Sequence, residues 1–150
     1  MEEFSEPGAV RHGNFMNYYD FNSAIDRVKL LPINPDLWNI SAGITASADA
    51  YLVLDVGCNA GNLTQILFEF LRERIPERNI FILGIDIDPI LIKRAKEANK
   101  HSENVFYECY NVMEYTYSDT NNIFNFLKNY NKLRFEVVCC FSVSMVPNNI

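Results

Sequence analysis

A chain of 150 residues that is 49% hydrophobic and 13% aromatic holds material for one core but hardly two, so a single domain is expected. The formal net charge of −6 excludes a surface that coats nucleic acid through bulk charge, yet it leaves room for a local contact with an RNA end. No apolar run approaches the roughly 20 residues that span a bilayer, and the opening "MEEFSEPGAVRHG" carries acids where a signal peptide carries lysines, so neither a membrane partner nor export is expected.

In chain order, residues 1–22 are polar and aromatic ("HGNFMNYYDF") without helical or strand periodicity, and they read as an irregular arm. "SAIDRVKLL" places Ile25, Val28 and Leu31 near helical spacing behind a Ser23 cap, and Pro32 ends it. The stretch after Pro32 is a loop with a short turn expected around Leu37 and Trp38. From Tyr51 the pattern becomes regular. "YLVLDV" is a continuous apolar run closed by an acid, as in a strand covered on both faces. In "NLTQILFEFLRERI", Leu63, Ile66, Leu67, Phe70 and Leu71 fall on one helical face.

"NIFILGIDID" repeats the strand pattern from Asn79 to about Asp86. Asp88 then stands as a cap before Pro89 at the first helical position, and "ILIKRAKEANK" continues as a helix. "NVFYECY" is a third, shorter strand, "NNIFNFLKNY" a third long helix, and "RFEVVCCFSVSM" a fourth strand. Strands alternating with helices specify an α/β, Rossmann-like, doubly wound parallel sheet of about four strands, with helices on both faces. Cys58, Cys109, Cys139 and Cys140 have no paired spacing, so they are expected as reduced core thiols of an intracellular protein, cytoplasmic with the nucleus as a second compartment, and no metal is expected.

In an open parallel sheet the ligand sits at the carboxyl ends of the strands, and the turn after the first strand is the usual contact. Here that turn is "DVGCNAG". Gly57 lets the backbone leave the strand, Asn59 tolerates positive φ, and Gly61 allows close approach of the next helix. The spacing is not the G-x-G-x-x-G that offers backbone amides to a pyrophosphate. Asp55 stands at the strand end, and an acid there favours a ligand that is positive or rich in hydroxyls. S-adenosyl-L-methionine, with its ammonium, sulfonium and ribose, fits better than a nicotinamide or flavin cofactor. At the second strand tip Asp86 is preferred over Asp88 as the ribose acceptor, because Asp88 is engaged in capping.

Five segments in the same order, "GNFMNYYDF", "DRVKLLP", "LDVGCNAG", "DIDPILIKRA" and "FSVSM", together resemble the Bicoid-interacting-protein-three type RNA methyltransferases, over about Gly13 to Met145. The resemblance is strongest to the branch that methylates the 5′-monophosphate end of small RNAs such as precursor microRNAs and histidine transfer RNA. It implies an S-adenosylmethionine-dependent O-methyltransferase, with cofactor roles for Arg27, Asn59 and Asp86. Where that family has an Asp-Phe pair near the adenine, this chain aligns Asn111 and Val112. Tyr18 matches the arm tyrosine, and aromatic faces stack on bases, so the arm is expected to fold over an RNA end with Arg11 near its phosphate. Residues 23–150 would then form the N-terminal part of the cofactor domain. After "FSVSM" the family pattern stops, which leaves the fourth strand without an outer neighbour. A truncated product is therefore expected, with a non-catalytic isoform that binds cofactor or a partner weakly as the alternative.

Overall fold

A computed structural model describes residues 24–39, 50–114 and 122–141. Two short helices, α1 (Ala24–Val28) and α2 (Pro35–Trp38), come first, followed by β1 (Ala50–Val56), α3 (Asn62–Arg74), β2 (Asn79–Asp86) and α4 (Pro89–Glu97). Then come β3 (Val105–Cys109), a 3-10 turn at Val112–Glu114, α5 (Asn122–Asn129) and β4 (Val137–Cys139). The four strands form one sheet in the order β3-β2-β1-β4, and every pairing is parallel.

β1 is buried along its whole length, as a strand with helices on both faces must be. Its period-two alternation divides the core. Tyr51 and Val53 face Leu67, Leu71 and Ile75 of α3 and its end, together with Ile92 and Ala95 of α4 and Val28 of α1. Leu52, Leu54 and Val56 face Ile123, Phe126 and Leu127 of α5. Each fully buried large aliphatic side chain contributes about 1.5–3 kcal/mol, and Leu52, Leu67, Leu71, Ile82 and Leu83 are all under 2% exposed. The sheet is therefore doubly wound.

The chain steps from β1 to β2 to β3 in one direction, then returns through α5 to β4 on the far side of β1. That reversal puts the topological switch point at the carboxyl end of β1, where α/β sheets open a crevice.

The expected elements appear with three differences. α1 is shorter than its pattern, and its inward face is only partly the expected one: Val28 is buried and Leu31 packs on the core, but Ile25 is exposed while Arg27 is buried among core residues. β4 is a three-residue strand rather than the long run expected from Arg134 onward. The cause lies in β1. Beyond Asp55, which pairs with Cys139, the chain turns toward β2: the amides of Gly57 and Cys58 both donate to Ile85 O at 2.9 Å, so β4 loses its partner. Residues 142–150 lie outside the described set. Finally, of the four cysteines, Cys58 and Cys139 are buried but Cys109 and Cys140 are exposed; all four are free thiols.

Candidate functional site

The turn after β1 is held by its own hydrogen bonds. Gly57 and Cys58 donate to Ile85 O, Asn59 N donates to Asp86 Oδ2 at 3.0 Å, Ala60 N to Asn59 Oδ1 at 2.8 Å, and Gly61 N to Cys58 O at 3.1 Å. All five amides of the turn are thus used inside the protein. Three residues take positive φ, Gly57 at 74°, Asn59 at 55° and Gly61 at 86°, and Asn is among the few side chains that tolerate this. No amide from Gly57 to Gly61 is therefore left over to receive a pyrophosphate.

Carboxylates gather beneath and beside it. Asp55, 1% exposed at the end of β1, accepts from Thr64 Oγ1 at 2.6 Å. Burial pushes its carboxyl up to about 7; the Thr64 hydrogen bond and the positive charge of Arg27 oppose the rise, and Asp86 adds to it. Asp86, half-buried at the tip of β2, accepts from Asn59 N through Oδ2 and from Asp88 N through Oδ1, both at 3.0 Å. Asp88 caps α4, accepting from Ile90 N at 2.8 Å, with Pro89 at the first helical position. Asp88 thus caps α4 as its place before Pro89 predicts. The Cys58 thiol is pushed well above its ordinary value by burial and by both Asp55 and Asp86, so one small region feels both acids.

Arg27 enters from α1, 6% exposed, with its guanidinium 5.5 Å from the centre of the Phe141 ring. Asn111 and Val112 lie just past β3, on the same rim: Tyr110 N donates to Asp86 O at 3.0 Å. Asn111 Oδ1 accepts from Met113 N at 3.0 Å, which caps the 3-10 turn, and Val112 is 39% exposed. The structure thus gathers Arg27, Asp55, Gly57, Asn59, Gly61, Asp86, Asn111 and Val112 at one end of the sheet. Arg11 and Tyr18 lie outside the described residues.

Two residues absent from the sequence reading support this end. Thr64 holds Asp55, and its only signal was a hydroxyl on the inward face of α3. Tyr107 of β3, 3% exposed, packs under Gly61 and donates to its carbonyl at 3.1 Å. The signal that could have found it is the glycine inside the second strand, Gly84, which lies against the same ring.

Among the described residues no group of three or more His, Cys, Asp or Glu is placed to hold a metal ion, and no helix is long and apolar enough to cross a membrane. Arg78, just past the end of α3, reaches inward to Ala50 O at 3.2 Å and Glu136 Oε1 at 3.7 Å.

Known proteins align with this chain. The chain is 35% identical over 151 residues to a pre-miRNA 5′-monophosphate methyltransferase of Danio rerio, covering 96% of this chain and 58% of that one. It is 34% identical over 145 residues to the Xenopus laevis protein of the same name, covering 93% and 56%. The chain thus spans little more than half the length of these curated relatives. A solved S-adenosylhomocysteine complex of a methyltransferase from Thiobacillus denitrificans overlaps 86% of this chain and 40% of its own, at 19% identity and a TM-score of 0.44, a likeness too partial to add to the sheet order already described. The model of the family described as "Methyltransferase domain" matches residues 47–149, from ahead of β1 through β4, and the chain belongs to that family.

Proposed function

We propose that this chain carries the S-adenosyl-L-methionine site of an RNA O-methyltransferase acting on 5′-monophosphate ends of small RNAs. The observation that carries the reading is the turn with its five amides used internally and two carboxylates beside it. Such a site suits a cationic, hydroxyl-bearing ligand and disfavours a dinucleotide. In this reading the Asp86 carboxylate, held at the strand tip by two backbone amides, accepts from ribose hydroxyls. Asn111 keeps its side-chain amide N–H groups for the base, its carbonyl being used in the cap. Arg27 brings positive charge for a carboxylate, and Asp55 brings negative charge for an ammonium.

The cofactor, when bound, supplies an electrophilic methyl group. A phosphate oxygen is already anionic near neutral pH, so the chain's task is alignment rather than proton removal, and effective alignment is worth about 7–11 kcal/mol in favourable intramolecular cases. Arg11 and Tyr18 in the arm are assigned to the RNA end. The RNA class, a precursor microRNA or a transfer RNA, follows the names of the relatives in the first case and the sequence resemblance in the second.

Incubation with methyl-labelled cofactor and matched RNAs bearing a 5′-monophosphate or a 5′-hydroxyl tests this reading. Label on the monophosphate RNA alone is the expected result. Label on both RNAs would contradict the assigned acceptor, and cofactor binding without any transfer would favour the non-catalytic alternative.

A further inference from the structure

Two glycines far apart in sequence are shaped by one aromatic ring. A Cβ at Gly61 would lie 2.6 Å from the Tyr107 hydroxyl oxygen and 2.8 Å from Cζ, and one at Gly84 would lie 2.9 Å from Tyr107 Cδ1. Real Cβ contacts are not that close, so the ring occupies a slot that only two glycines leave open. Gly84 belongs to β2, and Gly61 is the last residue of the ligand turn. The Tyr107 hydroxyl donates to Gly61 O at 3.1 Å, a carbonyl that also accepts the first helical bond of α3, from Gln65 N at 3.1 Å. Thr64, three residues into α3 from that peptide, in turn holds Asp55. The peptide that joins turn to helix is therefore fixed from β3, a strand that is not its sequence neighbour.

We infer that Tyr107 is a positioning residue for the ligand turn: its ring sets the height of the Gly57–Gly61 segment above β2, and its hydroxyl fixes the Gly61 peptide. As a statement about cofactor binding, the inference rests on the function proposed above. As a statement about the turn, it stands without any ligand. Asn111 and Val112 follow β3 within three residues, so Tyr107 ties the height of the turn to the strand that leads into the residues assigned to the base.

Hydrogen exchange on the unliganded full chain tests the inference, with Tyr107→Phe retaining the ring and removing only the hydroxyl. Loss of one buried hydrogen bond predicts amide exchange at Ala60 and Gly61 about five- to tenfold faster, with Leu52–Leu54 of β1 unchanged. Calorimetry with S-adenosylhomocysteine is predicted to show weaker binding by a similar factor. Tyr107→Leu, which empties the slot, is predicted to lower the melting temperature as well. Turn protection equal to wild type in Tyr107→Phe would overturn the inference, as would loosening of β1 to the same extent as the turn. If the turn loosens selectively while the wild-type chain binds no S-adenosylhomocysteine, the cofactor reading fails and the positioning role stands.

Discussion

Among the described residues both ends of the sheet bury carboxylates, and Glu136 at one end and Asp55 at the other are treated differently. At the amino end, Glu136 accepts from Leu52 N at 2.6 Å through Oε2, while Oε1 meets the buried Lys132 ammonium and lies 3.7 Å from Arg78 Nη2. Arg78 also stacks over Tyr51, whose hydroxyl donates to Trp38 O at 2.6 Å, so this end is a closed network of β1, β4 and the α2 segment. At the carboxyl end, Asp55 receives a neutral hydroxyl, feels Arg27, and faces a second acid, Asp86. A saturated carboxylate holds strands together. A buried carboxylate short of positive charge at the switch point is, under the proposed function, the one whose field a cationic ligand would complement.

The comparison can be broken first at the amino end. Glu136→Ala leaves the Lys132 ammonium, 2% exposed in its side chain, without its counter-charge; removing one partner of a buried pair costs about 3–5 kcal/mol. Urea denaturation is predicted to show that loss, with S-adenosylhomocysteine affinity unchanged wherever the chain remains folded.

Gly61→Ala sets a methyl 2.6 Å from the Tyr107 hydroxyl at φ 86°, which overpacking and backbone strain make worth about 1–3 kcal/mol. Here stability and ligand affinity are predicted to fall together, because the same peptide supports both.

The third effect is a tilt rather than a step. Asp55 is pushed up to about 7 from an ordinary value of 3.8, so between those values the folded chain holds a proton that the unfolded chain has released. Stability from this group is therefore greatest at low pH, declines as pH rises through that window, and levels off above about 7. The slope is at most about 1.4 kcal/mol per pH unit. Denaturation midpoints of wild type measured against Asp55→Asn from pH 5 to 8 are predicted to show this decline in wild type only.

What could be read in advance followed local chemistry. The run from Tyr51 to Val56, the apolar face of α3 and the Asp88–Pro89 start of α4 are set by neighbours within a few residues, and each appears where its pattern placed it. α1 went only partly as expected because five residues carry little periodicity: Val28 turned inward with its pattern, but the Phe141 ring and the charge of Asp55 favour Arg27 inside, and Ile25 is left in water. Nothing near Arg78 in the sequence marks its inward role, because its partners, Ala50 and Glu136, lie 28 and 58 residues away. Tyr107 was hidden for the same reason, since its hydrogen bond to Gly61 spans 46 residues. The turn itself was legible because glycine spacing, the φ-tolerant Asn59 and the two acids are all written within or just after two strands.

Calorimetric titration of S-adenosylhomocysteine and, separately, NAD into wild type and Asp86→Asn tests the central claim most directly. The account predicts that wild type binds S-adenosylhomocysteine in preference to NAD, and that Asp86→Asn weakens that binding at least tenfold, about 1.4 kcal/mol. Tighter binding of NAD, or equal affinity of the two chains for S-adenosylhomocysteine, would contradict it.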